Sequence, residues 1–209
     1  MARARDRVRY WDDQAATYDT RTAGMERRLL AVSRAWVAER VHGTTLELGV
    51  GTGANLAHYA PDLDLVAVDW SEEMLARARH RATAIGSRVA FRRADAGALP
   101  FAASSFDTVV STFAMCCVPD LERTLGEALR VLRPGGRLLL ADHVVASFWP
   151  LRLVQHAADL VSVPRHGEHF TRRPSLALRR RNVEIIESER TTLGAIERVH
   201  ARAAGVADR

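Results

Sequence analysis

Residues 46–53 read Leu-Glu-Leu-Gly-Val-Gly-Thr-Gly, and this stretch decides the fold. The residues before Gly49 predict a buried strand that runs directly into a glycine-rich turn and then a helix. Gly49, Gly51 and Gly53 let the backbone turn tightly and let a ligand lie against it. Backbone N–H groups at the start of the helix would point at that ligand. The stretch therefore predicts a site for a nucleotide-like cofactor.

Outward from this turn, apolar runs alternate with segments of helical spacing as far as residue 145. Apolar runs without period-two alternation are typical of a parallel sheet that is covered on both faces. We expect strands at Thr44–Leu48, Leu63–Val68, Arg88–Arg93, Phe106–Thr112 and Arg137–Ala141, with helices over 25–41, 54–59, 71–84 and 119–132. Ser71 is the expected N-cap of the third of these helices.

The last third of the chain has a different pattern. Val183–Thr191 and Ile196–Ala201 predict a hairpin around residues 192–195, so the last strand should run antiparallel to its neighbour. Phe148–Val163 has apolar residues at helical spacing and precedes a polar loop, Pro164–Arg173. We expect one α/β domain over residues 1–209, with a helical lid at 1–42 and a substrate-side insertion at 146–175. The apolar helix suits either a pocket wall or a plain core helix.

Composition limits the classes of function. The chain has 209 residues, 47% of them hydrophobic, and a net charge of +5 that comes entirely from arginine because lysine is absent. The arginines are scattered rather than gathered in a stripe with aromatics, which argues against a nucleic-acid partner. Cys116 and Cys117 form neither a disulfide framework nor a metal-binding pattern, so no metal is predicted. Without a signal core or an apolar span, we expect a cytoplasmic protein.

Three further strand ends carry residues suited to a ligand, because ligands of open α/β sheets bind beyond the carboxyl ends of the strands. Asp69 lies twenty residues after Gly49 and could accept hydrogen bonds from ribose hydroxyls. Trp70 and Met74 could pack on a purine ring, although Met74 could equally be core. Asp95 could accept a hydrogen bond from an exocyclic amine, or could be a turn aspartate. Ser111 ends the fourth strand, where a substrate would lie.

Glu47 separates two cofactor classes. Gly49, Gly51 and Ala54 also fit the dinucleotide pattern, but a carboxylate beside the glycine turn would oppose a pyrophosphate. S-adenosylmethionine instead brings an ammonium and a sulfonium, which a carboxylate favours. Burying a charge in a parallel strand is costly unless it is paired or hydrogen-bonded. Glu47 therefore favours a positively charged ligand.

These motifs in this order resemble a class I S-adenosylmethionine-dependent methyltransferase. The resemblance covers residues 10–145 and rests on residues 46–53, 66–75, 94–101 and 105–107 and on Leu129-Arg130-Val131-Leu132-Arg133-Pro134-Gly135-Gly136. It implies a Rossmann-like three-layer sandwich with a mainly parallel seven-stranded sheet and an antiparallel last strand. It implies that the three glycines line the methionine part and Asp69 the ribose. Asp95 and the Ala96 backbone would take the adenine, and Tyr18 would cap the cofactor from the lid.

The acceptor is less well defined by the sequence. Residues 113–120 and 141–144 are similar to a subgroup that holds quinone C-methyltransferases, phosphatidylethanolamine N-methyltransferases and thiol methyltransferases, so a small apolar or membrane-associated acceptor is implied. A base is needed only for a protonated nucleophile, and His143 and His169 are the candidates. The arginine-rich start could contact anionic lipid or could be a solvated tail, and oligomeric state is not indicated. An NAD(P)-dependent oxidoreductase and a non-catalytic binding homologue are the alternatives.

Overall fold

The computed structural model describes residues 2–181 and 183–203, and side chains from residue 6 onward. Arg3 and Arg5, half of the arginine-rich start, have side chains outside the described residues. The strands are β1 Thr45–Leu48, β2 Leu65–Asp69, β3 Val89–Arg93, β4 Phe106–Thr112, β5 Leu132–His143, β6 Glu184–Thr191 and β7 Ile196–Arg202. The α-helices are α1 Ala2–Ala15, α2 Tyr18–Met25, α3 Ala31–Ala38, α4 Glu72–Ile85, α5 Leu121–Val131, α6 Trp149–His166 and α7 Pro174–Arg180.

The seven strands form one sheet in the order β3-β2-β1-β4-β5-β7-β6. Strands β1 to β5 are parallel to one another, whereas β7 is antiparallel to both β5 and β6. The predicted α/β class, mainly parallel sheet and antiparallel last strand are therefore confirmed. The strand order reverses between β1 and β4, and the glycine turn after β1 lies at this switch point, where open α/β sheets bind ligands.

The core explains why the strands are apolar runs. Leu46, Leu48, Val109 and Leu138 are buried under the helices that cover the sheet. Burial of such side chains stabilises the fold by roughly 1.5–3 kcal/mol each. The carboxyl ends of β1, β2 and β4 are thereby held rigidly beside one another.

Local signals place several helix ends. The Ser71 hydroxyl accepts a hydrogen bond from the Met74 N–H, so the predicted N-cap is confirmed. Helix α5 begins at Leu121, not at Pro119, because the Asp120 carboxylate caps it by accepting from the Arg123 N–H. Helix α6 continues through Pro164 to His166 where a loop was expected, and ends at Gly167 in the left-handed conformation.

Strand β5 also begins earlier than predicted, at Leu132. Phe106 pairs with Leu132 and Thr108 with Arg137, so an irregularity in β5 accommodates Pro134-Gly135-Gly136. A Cβ on Gly136 would lie 3.0 Å from the Asp107 carbonyl oxygen, which explains the glycine at this close approach. Among the described residues, no helix has the length and apolar character to cross a membrane.

Candidate functional site

A cavity opens at the carboxyl ends of β1, β2 and β4, and its empty space, including the part open to solvent, is about 730 Å³. Nine of its lining residues were predicted from the sequence: Tyr18, Gly49, Gly51, Asp69, Trp70, Met74, Asp95, Ala96 and Ser111. The loop after β4 supplies a second, mostly apolar part of the lining: Phe113, Ala114, Met115, Cys117, Val118 and Pro119. We call these the cofactor side and the acceptor side.

The glycine turn requires its glycines for two different reasons. Gly49 has φ +68°, and a Cβ there would lie 2.6 Å from the Ala114 Cβ on the acceptor side. Gly51 has φ +55° with open space where a Cβ would point, so only its backbone conformation requires glycine. Gly53 faces Leu56 and Ala78 and does not line the cavity. The sequence grouped these three glycines, and the structure separates Gly53 as a packing residue.

Asp69 lies on the cavity wall and braces the glycine turn. Its Oδ2 accepts from the Gly51 N–H at 2.9 Å and its Oδ1 from the Ser71 N–H at 3.0 Å. Each carboxylate oxygen keeps a second acceptor position, so ribose hydroxyls could still donate to it. Burial raises the pKa of Asp69, while these backbone N–H groups oppose the rise.

The adenine candidates follow β2 and β3. The Asp95 carboxylate accepts from the Gly97 N–H at 2.8 Å, which fixes the turn after β3. Trp70 and Met74 lie on the same wall, and Met74 is also part of the buried core. Ser111 has a buried hydroxyl without a hydrogen-bond partner among the described residues. That hydroxyl is available to a ligand.

Glu47 lies behind the cavity wall rather than on it. Its Oε1 accepts from the Asn55 amide at 2.8 Å, whereas its buried Oε2 has no partner among the described residues. Burial raises its pKa to about 7. The Tyr59 hydroxyl and the Arg34 guanidinium, which donates to the same Asn55, both oppose this rise and favour the charged carboxylate.

A buried polar network connects the N-terminal helices to the residues behind the cavity wall, and the sequence did not indicate it. The Arg34 guanidinium donates to Asn55 Oδ1 at 2.8 Å and to Thr112 Oγ1 at 2.9 Å, and it pairs with Glu26. It also lies 5.2 Å from the centre of the Phe113 ring. Arg34 could not be singled out because its position in an amphipathic helix gives no signal of long-range partners.

The predicted lid contacts the cofactor side. The Thr52 hydroxyl donates to Asp19 Oδ1 at 2.6 Å, and the Ser71 hydroxyl donates to Asp12 Oδ1 at 2.5 Å. Tyr18 and Trp11 line the cavity with ring centres 6.2 Å apart. Trp11 is a wall residue that the sequence analysis did not select, although it stands in the same aromatic segment as Tyr18.

His143 and His169 do not line the cavity. His143 Nδ1 lies 3.6 Å from Asp142 Oδ1, and His143 Nε2 lies 3.8 Å from Glu168 Oε1. The His169 N–H donates to the Cys116 carbonyl, and burial lowers the pKa of the His169 ring. Both histidines lie behind the acceptor side, within a layer that supports the loop after β4.

This layer also holds groups that could ligate a metal ion. The ligand atoms of Cys116, Asp142 and His143 lie within 4.8 Å of one another, as do those of Cys116, Cys117 and Glu168. Burial raises the pKa of the Cys116 thiol well above its usual range, which disfavours the thiolate that a metal would need. The sequence could not show this cluster because its members are distant along the chain.

Comparison with known proteins identifies the class. The family described as "Methyltransferase domain" matches residues 46–140, which run from β1 into β5 and contain most of the cavity wall. A demethylmenaquinone methyltransferase of Renibacterium salmoninarum is 33% identical over 170 residues, covering 79% of this chain and 70% of that protein. The chain belongs to the class I S-adenosylmethionine-dependent methyltransferases, whose cofactor is S-adenosylmethionine.

Other similar proteins are named for different methyl acceptors. A phosphatidylethanolamine N-methyltransferase of Cereibacter sphaeroides is 39% identical over 117 residues, covering 55% of this chain and 58% of that protein. The chain spans about half to three fifths of the length of several curated relatives. A methyltransferase structure from Thermotoga maritima, titled a possible histamine N-methyltransferase, has a TM-score of 0.70 at 23% identity and covers 92% of this chain and 98% of that one. This likeness shows the shared fold.

Proposed function

We propose that this protein transfers a methyl group from S-adenosylmethionine to a small apolar or membrane-associated molecule. The observation that carries the proposal is that one cavity is lined both by glycines and carboxylates at strand ends and by the mostly apolar loop after β4. The first suits a polar, positively charged cofactor, and the second suits a greasy acceptor. The names of the matched quinone and phospholipid methyltransferases support the same acceptor class.

The residues present fit the cofactor. The positive φ angles at Gly49 and Gly51 bring backbone to the cavity wall without a Cβ. Asp69, Asp95 and Ser111 keep acceptor or donor capacity on that wall. When bound, S-adenosylmethionine supplies an electrophilic methyl group carried on sulfur.

The protein's own contribution is to position and desolvate the acceptor. Phe113, Met115 and Val118 exclude water from the side where an apolar acceptor would lie. Gly49 and Ala114 approach closely, so the two sides of the cavity are held in a fixed relation. In-line displacement depends on such alignment, which can supply much of the rate enhancement without a catalytic acid or base.

For an acceptor that must lose a proton, His143 is our candidate base and His169 is the second. His143 reaches Glu168, and the Glu168 carboxylate lies within 4.8 Å of the Cys117 thiol on the cavity wall. His143 would act after a small movement of that wall or through water. We expect His143→Gln to lower kcat for such an acceptor more than His169→Gln does.

The experiment is a screen for S-adenosylhomocysteine release with phospholipid, quinol, thiol and phenol acceptors, together with calorimetry of S-adenosylhomocysteine binding. We expect binding and turnover of at least one apolar acceptor. Absence of S-adenosylhomocysteine binding by the folded protein would refute the proposal. Binding without turnover of any acceptor would favour the non-catalytic alternative.

A further inference from the structure

Helix α6 has its polarity reversed relative to an ordinary surface helix. Its buried residues are Gln155 and Ser162, whereas Trp149 and Leu160 are 67% and 78% exposed. Leu153, Val154 and Val161 are also exposed on the same broad face. A surface helix normally buries its apolar stripe and exposes its polar one. This arrangement leaves a continuous apolar face on the outside of the molecule.

Hydrogen bonds show that the reversed orientation is built into the fold. The Gln155 amide donates to the Val144 carbonyl at 2.8 Å and accepts from the Ala146 N–H at 2.7 Å. The Ser162 hydroxyl donates to the Glu168 carbonyl at 2.8 Å, and Asp159 accepts from the Phe170 N–H at 2.6 Å. The polar side of α6 is therefore its attachment to the protein, and rotation of the helix would break these bonds.

The tip of the β6–β7 hairpin extends the same apolar face. The Ser147 and Phe148 N–H groups donate to the Leu193 carbonyl, which holds the tip beside the start of α6. Leu193 is 62% exposed and has φ +57°, a left-handed conformation that disfavours a large side chain. Phe148 is also exposed. A large apolar side chain therefore stands exposed at a turn position that favours Gly, Asn or Asp, next to the start of α6.

Positive charge frames this face. Arg152 and Arg165 are exposed at opposite edges of the α6 face, and Arg152 also donates to the Ala146 and Ser147 carbonyls. The carboxylate of Asp159 is turned inward to Phe170 and Thr171. An apolar face with tryptophan and arginine at its margins is typical of a helix that lies in a membrane interface.

We propose that the outer face of α6 and the Leu193 tip dock on an anionic bilayer surface. We call this surface, Phe148, Trp149, Leu153, Val154, Leu160, Val161 and Leu193, the docking face. A second copy is disfavoured as the occupant because pairing would bring arginine-framed surfaces of two chains, each of net charge +5, together.

The docking face is connected to the acceptor side of the cavity. The segment after α6 packs on the loop after β4, where the His169 N–H donates to the Cys116 carbonyl. Arg172 donates to the carbonyl of Met115, which lines the cavity. This part of the inference rests on the proposed function, because it places the cavity beside the source of a membrane-borne acceptor.

Vesicle flotation tests the docking face. Vesicles of phosphatidylcholine alone are compared with vesicles that also contain phosphatidylglycerol, using the full chain and the double variant Leu153→Glu, Leu160→Glu. The full chain should float with the anionic vesicles, and the double variant should lose about tenfold or more in partitioning. Ile85→Glu is the matched control, because Ile85 is an exposed apolar residue at the end of α4; it should partition like the full chain.

A second pair of variants tests the charge. Arg165→Gln should lower partitioning to anionic vesicles about fivefold, whereas Arg88→Gln, an exposed arginine before β3, should change it by less than about twofold. Circular dichroism and S-adenosylhomocysteine calorimetry on every variant show whether the fold and the cofactor site are intact.

The outcomes separate this inference from the proposed function. Flotation of the full chain that the docking-face variant loses supports the docking face. Failure of the full chain to float, or equal flotation of the docking-face variant, overturns it. So does a dimer in sedimentation that the docking-face variant converts to monomer, since a second copy then covers the surface. Each of these negative results leaves S-adenosylhomocysteine binding, and with it the proposed function, untouched.

Discussion

The two sides of the cavity are built in different ways. The cofactor side is formed by short motifs at strand ends, so Gly49, Asp69 and Asp95 come together because parallel strands end at one edge of the sheet. The acceptor side is formed by one loop after β4, which is held from behind by residues from β5 and from the segment after α6. A local motif can specify the first side, whereas long-range packing specifies the second.

Gly49 is the point at which the two sides meet, and its substitution should have the largest effect. Gly49→Ala places a Cβ 2.6 Å from the Ala114 Cβ at φ +68°. We expect unfolding free energy to fall by about 3 kcal/mol, from strain and overpacking together. Urea denaturation measures this change.

Gly51→Ala is the matched control, because its φ is +55° but its Cβ would meet open space. We expect the free energy of unfolding to fall by only about 1 kcal/mol, because the left-handed backbone conformation alone disfavours alanine. Equal losses for both variants would show that the contact between the two sides does not matter.

Asp69→Asn should weaken the cofactor side alone. The amide cannot reproduce both the bracing of Gly51 and Ser71 and the acceptance of ribose hydroxyls. We expect S-adenosylhomocysteine affinity to fall by about 30-fold, which corresponds to a loss of roughly 2 kcal/mol. Calorimetry measures it, and Asp62→Asn, at an exposed aspartate, should leave affinity unchanged. An unaltered affinity in Asp69→Asn would remove Asp69 from the site.

Glu47→Gln should change how S-adenosylmethionine affinity depends on pH, with little effect on the affinity at low pH. The pKa of Glu47 is raised to about 7 by burial, so the carboxyl is protonated below that pH and charged above it. If a cationic ligand favours the charged form, affinity for S-adenosylmethionine should rise by up to about tenfold from pH 6 to pH 8. Glu47→Gln should lose this rise, as calorimetry across the range will show.

The same raised pKa has an opposite consequence for the free protein. Its folded state holds the Glu47 proton more tightly than the unfolded state does, whose ordinary value is 4.5. That stabilisation is complete below about pH 4.5 and is lost as pH rises through about 7. Glu47→Gln should show a smaller loss of stability over this window. Identical pH profiles for binding in both proteins would make Glu47 a purely structural residue.

Val118→Thr should give the smallest effect, and on the acceptor side only. A hydroxyl against an apolar acceptor should lower kcat/KM about fivefold for an acceptor found by the screen. S-adenosylhomocysteine affinity should stay within about twofold of the wild-type value, because Val118 lies on the acceptor side. A large loss of cofactor affinity would contradict the division of the cavity.

The sequence predicted those features of the fold that depend on residues close together in the chain. Strand β4, the Ser71 cap and the closing hairpin agree with the structure because periodicity, capping and turn chemistry are local. Most of the residues proposed for the cofactor line the cavity for a related reason, because they stand at the ends of parallel strands. Glu47 and Gly53 are exceptions, since strand direction and packing turn them away from the cavity wall.

The features that the sequence did not predict depend on tertiary contacts. Helix α6 continues past Pro164 because the proline falls in its last turn, where the exposed side tolerates a lost hydrogen bond. Helix α7 was not predicted at all. Apolar spacing indicated that α6 is amphipathic. Which side faces the protein depends on hydrogen bonds that Gln155, Ser162 and Asp159 make to residues outside α6, and the spacing within α6 does not show these bonds.

The structure of the protein crystallised with S-adenosylhomocysteine tests the division of the cavity most directly. We expect ribose hydroxyls within hydrogen-bond distance of the Asp69 carboxylate, adenine beside Asp95 and Ala96, and the homocysteine end at Gly49 and Gly51. The space bounded by Phe113, Met115 and Val118 should remain open to an acceptor. Adenine or ribose bound against those three residues, with Asp69 uncontacted, would contradict it.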